Sequence, residues 1–346
     1  MADNSGKILN KVKPRKIILP IIIGIGVSLY LMRDFDFKSF SLIDFSTGAI
    51  VFLILAFVLM IIRDVGYIWR IRILSGKELS WRKSIHIIML WEFTSAITPS
   101  AVGGTSVAVF FINKEGINLG KSSAMVLMTS LLDELYFVIT FPLAVFFLKE
   151  SDLFSLSENR EFFWIAVLGY SIKLVYSLFV FYGLLINPRG LKWLLLMIFK
   201  LPIIRKWRPH ANESGNDLLD ASSQFKNWSL KNWGKAMIAT GISWTSRYWV
   251  VNALILFLFG YHYLNLESHI LIFTKQLLMW IMMLVTPTPG GAGFAEYIFK
   301  EFLAGDIPQG MESFMAFLWR LVSYYPYLLL GAVLIPRWIR KHFIQV

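Results

Sequence analysis

Long apolar runs, separated by short polar segments, make up most of the chain. A helix needs about 20 mostly apolar residues to cross the roughly 30 Å hydrocarbon core of a bilayer. Runs of that length predict transmembrane helices at residues 17–32, 47–69, 121–148, 161–186, 236–260 and 311–336. The first run follows a basic stretch, as in a signal peptide, but it lacks a small-residue cleavage site and Arg33-Asp34 comes directly after it. It is therefore predicted to remain as an uncleaved first helix.

Two further apolar stretches, at residues 83–115 and 268–304, are interrupted by proline and glycine near their middles. Each half has about 13 to 17 residues, or roughly 20–25 Å of helix, which is too short to cross a bilayer. Broken backbone is tolerated at membrane depth only where it is buried in protein or lines a wet cavity. The pattern favours two re-entrant helical hairpins, with a pair of kinked spanning helices as the alternative.

The composition excludes an ordinary soluble protein, because 56% of the residues are hydrophobic and only 16% are charged, against about 25% charged in soluble domains. The absence of cysteine excludes a disulfide scaffold, thiolate metal sites and thiol catalysis. No catalytic residue, metal site or cofactor is predicted. The net charge of +12 suits nucleic acid or basic loops beside an anionic membrane, and the apolar excess favours the second. No nucleic-acid partner is expected.

The basic residues also predict the orientation. With six spans, two hairpins and the N-terminus inside, most of the 34 Lys and Arg residues fall in cytoplasmic segments, as the positive-inside rule requires. Those segments are residues 7–16, 63–83, 189–235 and 337–341. The predicted fold class is an all-α polytopic membrane protein, a single domain over residues 1–346, with both termini in the cytoplasm.

The longest polar stretch, residues 187–235, is predicted to be a cytoplasmic amphipathic loop. Its first part, Leu191–Trp207, has the tryptophans and basic residues of an interfacial helix. The favoured interpretation is a linker that lies on the anionic leaflet.

The two hairpin tips resemble each other and predict an inverted repeat, residues 47–148 and 236–336, as found in secondary transporters. Proline ends each incoming half-helix, and the outgoing halves are predicted to start near Gly104-Thr105 and Gly291-Ala292. Their free N–H groups would suit an anion such as phosphate. The alternative is that the glycines only permit close helix packing. The candidate tip residues are Thr98, Pro99, Gly103, Gly104, Pro287, Pro289, Gly290, Gly291 and Gly293.

Ionisable residues inside the apolar segments are costly, so they should face the bundle interior. Glu296 and Arg320 are the strongest candidates for handling substrate, followed by Asp133 and Arg247. Lys173 is the weakest, since it can snorkel or cap a pair. The alternative is that the acids and bases only pair with one another. The full candidate set is Glu296, Arg320, Asp133, Arg247, Glu92, Glu134 and Lys275.

Five short segments carry a resemblance to a known family, namely Thr286–Glu296, Leu318–Pro326, Pro99–Gly104, Asn113–Gly116 and Leu132-Asp133. Over residues 17 to 340 or so, the chain resembles the lysylphosphatidylglycerol synthase transmembrane (flippase-like domain) family. This resemblance implies a bacterial or archaeal cytoplasmic-membrane protein related to the membrane half of multiple peptide resistance factor, which moves aminoacylated phosphatidylglycerol between leaflets. The soluble aminoacyl-transferring domain of that relative is not in the sequence, so lysyl-lipid synthesis is not expected. The basic residue that often precedes the family aspartate is also absent, because Ser130-Leu131-Leu132 precede Asp133.

Three functions are compatible with these features. The leading hypothesis is a flippase that moves a phosphate-bearing lipid, such as a modified or polyprenyl-linked one, between leaflets. The second is a secondary transporter of a small anion, driven by protons through Glu296 or Asp133. The third is a membrane enzyme that transfers a head group, which no nucleophile–base pair, metal cluster or nucleotide loop supports. The sequence therefore predicts a membrane lipid as the partner and no enzyme activity.

Overall fold

Every element in the described part of the chain is a helix. The computed structural model describes residues 47–98, 103–148, 160–201, 205, 208–260, 263–283, 288 and 290–343, together with Gly26 and Tyr30. The helices are α1 (Thr47–Leu74), α2 (Trp81–Ile97), α3 (Gly103–Lys114), α4 (Leu119–Phe146), α5 (Arg160–Phe181), α6 (Pro188–Ile198), α7 (Arg208–Lys226), α8 (Leu230–Phe259), α9 (Leu266–Met283), α10 (Phe294–Leu303), α11 (Glu312–Ser323) and α12 (Tyr325–Phe343).

Five segments are long and apolar enough to cross a membrane, which makes the chain a multi-pass membrane protein. They are Gly48–Leu74, Leu119–Phe146, Val167–Ile186, Leu230–Phe259 and Glu312–His342. These segments match five of the six predicted spans, and the sixth, residues 17–32, lies outside the described residues apart from Gly26 and Tyr30.

Two of the spans differ from the continuous α-helices that were predicted. The last one breaks at Tyr324, which has φ −128° and ψ −54° and separates α11 from α12. Pro326 explains the break, because proline lacks the N–H of the helical ladder and its ring would clash with the carbonyl four residues earlier, that of Val322. The span Val167–Ile186 ends in a π-helical turn, Tyr182–Ile186, after which Asn187 caps α6.

Residues 187–235, which were predicted to be a cytoplasmic amphipathic loop, contain two helices, and the second packs on the bundle. α6 ends at Ile198, well before the predicted end at residue 207, and its Trp193 is exposed. α7 lies against α4, where Gly120 leaves room for the α7 backbone: a Cβ there would lie 2.3 Å from the Ser214 carbonyl oxygen. α7 is therefore part of the folded bundle.

The two interrupted stretches form helix pairs, α2 with α3 and α9 with α10, and the members of each pair pack against each other. The breaks meet, because the Gly290 N–H donates a hydrogen bond of 3.1 Å to the Thr98 carbonyl oxygen. Gly290, Gly291 and Gly293 have φ of 57°, 70° and 85°, which favour glycine and explain the glycine-rich second tip. Pro99, Pro287 and Pro289 lie outside the described residues.

The corresponding first helices of the two halves, α1 and α8, make the most extensive helix contact in the described chain. Gly66 permits their close approach, since a Cβ there would lie 2.2 Å from Ser243 Oγ and 2.8 Å from the Ala239 carbonyl oxygen. The Ser243 hydroxyl also donates a hydrogen bond of 2.9 Å to the Arg63 carbonyl oxygen. This contact brings the charged part of α1 against α8.

Gly66→Ala should separate α1 from α8 and destabilise the protein by about 1–3 kcal/mol, which is the usual cost of overpacking. The measurement is the midpoint of thermal unfolding in detergent. Gly241→Ala, on α8, is the matched control because a Cβ there meets nothing within 4 Å. Equal midpoints for the two variants would contradict this account of the helix contact.

The predicted orientation places both chain termini in the cytoplasm and residues 150–160 outside, because the basic residues cluster in the loops assigned to the inside. Tags at the termini should therefore be protected in intact cells, and a tag in the 150–160 segment should be accessible. Accessibility of a terminal tag from outside would reject this topology.

Candidate functional site

A cavity of about 290 Å³ lies between the two halves of the described chain. Helices α1, α2 and α4 form one side, and α8, α9, α11 and α12 form the other. Four of the predicted site residues line it, namely Glu92, Asp133, Arg247 and Arg320, and so do the tip glycines Gly290 and Gly291. Seven aromatic side chains also line the cavity, namely Tyr67, Trp91, Trp244, Trp280, Trp319, Tyr324 and Tyr327.

Asp133 is neutralised by Arg70, whose Nη1 donates to Asp133 Oδ1 and whose Nη2 lies 3.4 Å from Oδ2. The indole N–H of Trp244 donates a second hydrogen bond of 2.6 Å to Asp133 Oδ1. Arg70 Nη1 also donates to Thr240 Oγ1 at 3.0 Å. The pair therefore connects α1, α4 and α8. The assignment of Arg70 to a cytoplasmic loop was wrong, since it is buried and lines the cavity.

Arg63 is fully buried and contacts two carboxylates. Its Nη1 donates to Asp64 Oδ1 at 3.0 Å, and its Nη2 donates to Glu92 Oε2. The Tyr327 hydroxyl donates a 2.8 Å hydrogen bond to Asp64 Oδ2, and the guanidinium lies over the rings of Tyr67 and Tyr327 at 4.9 and 5.0 Å. This cluster carries one more acid than base. Its Arg63 and Asp64 were also assigned to the cytoplasm, although the apolar run of α1 continues beyond them.

Glu296 and Arg320 form a buried ion pair, with Arg320 Nε 2.9 Å from Glu296 Oε1 and Nη2 3.4 Å from Oε2. Both side chains are about 5% exposed or less. Arg320 lines the central cavity, whereas Glu296 lines a second cavity of about 130 Å³ on the other side, together with Lys300 and Ser313. The pair therefore separates the central cavity from this second cavity, which we call the outer groove.

Glu296 also fills the helix terminus that was predicted to be free for an anion. The Gly293 N–H donates a 2.8 Å hydrogen bond to Glu296 Oε2, so the carboxylate caps the first turn of its own helix. α10 begins at Phe294, later than the predicted Gly291-Ala292. At the first tip, α3 begins at Gly103, close to the prediction, and Gly104 packs against Ser95.

Arg247 differs from the other cavity arginines, because no Asp or Glu of the described residues lies within ion-pair distance of it. Its guanidinium lies beside two indole rings that pack edge to face, 5.5 Å from the centroid of Trp244 and 5.6 Å from that of Trp280. Its side chain is only partly buried and faces the cavity. A cation in this position has both charge and hydrogen-bond donors to offer to an anion.

The remaining candidates form ion pairs away from both cavities. Lys173 Nζ donates to both oxygens of Glu134, at 2.8 and 3.0 Å. Lys275 Nζ donates to Asp306 Oδ2 at 2.6 Å. Burial raises the pKa of Asp306, which lies in the loop after α10, and the Lys275 charge opposes that shift. For these residues, the predicted alternative, that the acids and bases only pair with one another, is enough to explain charged side chains in an apolar segment.

A metal site finds no support in the described residues, since they contain no group of three or more His, Asp or Glu side chains that could hold an ion. The motif residue Glu115 lies outside the cavity. Its carboxylate accepts a 3.3 Å hydrogen bond from the Trp338 indole N–H and so joins the base of the first helix pair to α12.

Removal of either Glu296 or Arg320 should leave the other as an unpaired buried charge, which typically costs about 3–5 kcal/mol. Glu296→Gln and Arg320→Gln should therefore each lower the thermal unfolding midpoint, and the double variant should recover most of the loss. Additive losses in the double variant would show that the two side chains do not act as a pair. Lys275→Gln with Asp306→Asn provides the same comparison for a pair away from the cavities.

The comparisons with known proteins agree with this architecture. The model of the lysylphosphatidylglycerol synthase TM region matches residues 17–331, which include the lining of the central cavity. A UPF0104 membrane protein of Archaeoglobus fulgidus is 26% identical over 292 residues, covering 81% of this chain and 84% of its own length. The chain therefore belongs to the lysylphosphatidylglycerol synthase transmembrane family.

Proposed function

We propose that the protein moves a phosphate-bearing lipid between the leaflets of the cytoplasmic membrane, with the head group held in the central cavity. The observation that carries this proposal is Arg247, a cation near the middle of α8 without a carboxylate partner among the described residues. An arginine at membrane depth costs at least about 2.5–3.5 kcal/mol unless it is paired or hydrated. A site that keeps such a charge unpaired is suited to an anionic ligand.

Phosphate is one of the two anions, with carboxylate, that match the geometry of an arginine side chain. The planar guanidinium of arginine donates two parallel hydrogen bonds to a phosphate, and such charge-assisted bonds are about twice as strong as neutral ones. The Arg247 guanidinium lies against the rings of Trp244 and Trp280. Trp91, which is only partly buried, provides a further apolar face that a glycerol or other head-group fragment can cover.

The cavity volume suits a head group rather than a whole lipid. About 290 Å³ is at the lower end of the 300–1,000 Å³ or so that is usual for small-molecule sites. The acyl or polyprenyl tails would therefore remain in the bilayer while the head group crosses. Membership of a family named for the membrane region of a lipid-modifying enzyme supports a role with lipids.

The position of the Glu296–Arg320 pair supports a route across the membrane. The pair lies between the central cavity and the outer groove, so opening it would connect the two. The helix pairs α2–α3 and α9–α10 meet at their breaks, as would be expected if they were two re-entrant hairpins entering from opposite faces. Movement of one hairpin against the other would expose the cavity to each side in turn.

The same cavity supports one alternative, a transporter of a small phosphate-bearing solute, because its volume fits a molecule without tails equally well. The two functions differ in the route of entry. A lipid must enter sideways from the bilayer, whereas a solute must enter from water.

Reconstitution in liposomes tests the proposal, with phosphatidylglycerol labelled on one acyl chain and a quencher that cannot cross the membrane. The informative variant is Arg247→Gln with Glu92→Gln, which removes one charge of each sign from the cavity. Leaflet exchange should fall by about tenfold or more, since hydrogen bonds to a charged group contribute about 1.5–3 kcal/mol. Exchange at the wild-type rate in this variant would reject the head-group site.

The matched control is Lys173→Met with Glu134→Gln, which also removes one buried charge of each sign but lines neither cavity. Its exchange rate should stay at the wild-type value. Uptake of dimethyl phosphate without any lipid exchange would favour the solute transporter instead.

A further inference from the structure

Eight charged side chains line the central cavity or contact its lining residues, four arginines and four acids, and their pairing is uneven. The residues are Arg63, Arg70, Arg247 and Arg320 and Asp64, Glu92, Asp133 and Glu296. Arg70 pairs with Asp133, and Arg320 pairs with Glu296. Arg63 instead pairs with two acids, Asp64 and Glu92, whereas Arg247 pairs with none of the acids described.

Without a bound anion, the eight charges therefore sum to zero only because the positive charge of Arg247 offsets the second carboxylate beside Arg63. The two carboxylates are partly exposed, Asp64 by 17% and Glu92 by 21% of the side chain, while Arg63 behind them is not exposed at all. Glu92 lines the cavity, so a proton can reach this carboxylate pair from the cavity through Glu92.

An anion bound at Arg247 would remove this balance. Its negative charge would neutralise Arg247, and the Arg63 cluster would then have one carboxylate whose charge no cation balances, in a low-dielectric interior. Buried charges are tolerated only when they are paired, so one carboxylate becomes easier to protonate. Protonation of Asp64 or Glu92 restores neutrality.

We propose that a phosphate anion and a proton bind together, the phosphate at Arg247 and the proton on the Asp64–Glu92 carboxylate pair. This inference rests on the proposed anion site at Arg247 and adds the source of energy, because a proton gradient would then drive the ligand in one direction. The groups that face the carboxylate pair are Arg63 and Tyr67 on α1, Tyr327 on α12 and Arg247 on α8. The Arg70–Asp133 and Arg320–Glu296 pairs are each matched one to one and need no proton.

The pH dependence has a definite sign. The bound state holds one proton more than the free state, so raising the pH disfavours binding, by up to about tenfold in affinity per pH unit between the titration range of the free cluster and the higher titration range of the anion-bound cluster. The probe must keep its own charge. Phosphodiesters suit this purpose, because they are monoanions throughout the range from about pH 5 to 8.

The experiment is isothermal titration of the full-length protein in detergent, in two buffers with different ionisation enthalpies, to count the protons taken up. The probes are dioctanoyl phosphatidylglycerol and dimethyl phosphate, which separate a lipid head group from a free phosphodiester. Wild-type protein should take up close to one proton per anion bound. Asp64→Asn and Glu92→Gln each leave Arg63 with a single carboxylate, so both variants should bind the anion with little or no proton uptake and with a flat pH profile.

Asp306→Asn is the matched control, because it removes a paired carboxylate that lines neither cavity, and its proton uptake should equal that of the wild type. Anion binding that depends on Arg247 but takes up no proton would overturn the coupling and leave the proposed function intact. Undiminished uptake in both Asp64→Asn and Glu92→Gln would also overturn it. If neither probe binds, or binding persists in Arg247→Gln, the anion site and the coupling both fail.

Discussion

The charged side chains of α1 connect this helix to three others. Arg63 connects α1 to Glu92 of α2, Asp64 connects it to Tyr327 of α12, and Arg70 connects it to Asp133 of α4. The two arginine side chains are at most 5% exposed, so removing the carboxylate partner of either would leave a buried charge, which typically costs about 3–5 kcal/mol. Helix packing in a membrane has no hydrophobic driving force of its own, and polar contacts of this kind decide which helices are neighbours.

Helices α1 and α8, the first helices of the two halves, distribute charge differently. Arg63 and Arg247 lie at similar positions along α1 and α8, and these two helices pack closely through Gly66. Arg63 is buried behind two carboxylates, whereas Arg247 faces the cavity beside two indole rings. An inverted repeat that was fully symmetric in charge would neutralise both arginines. Because the carboxylates lie beside Arg63 and not beside Arg247, Arg247 remains available to bind an anionic ligand in the proposed function.

Sequence alone predicted the spans, the interrupted helices and the residues Glu296 and Arg320, because these depend on local hydropathy and on proline and glycine. It also predicted that Glu296 and Arg320 would pair, but it could not predict the partners of Asp133 and Glu92. Arg70 was assigned to the cytoplasm because the positive-inside rule counts basic residues near span ends, and only the fold places Asp133 beside it. The role of Glu296 as a cap was also missed, although a glutamate at the third position of a helix is a recognised capping signal.

The two contacts of Glu296 restrict how a ligand could pass from the cavity to the outer groove. The carboxylate accepts from Arg320 and from the Gly293 N–H at the same time, so the pair cannot open without exposing both donors. A phosphate has enough oxygens to accept from both, and a helix N-terminus favours a negative charge. In the proposed function, passage through this partition is therefore an exchange of one anion for another, in which the lipid phosphate takes the place of the Glu296 carboxylate and neither Arg320 nor the Gly293 N–H is left without an acceptor.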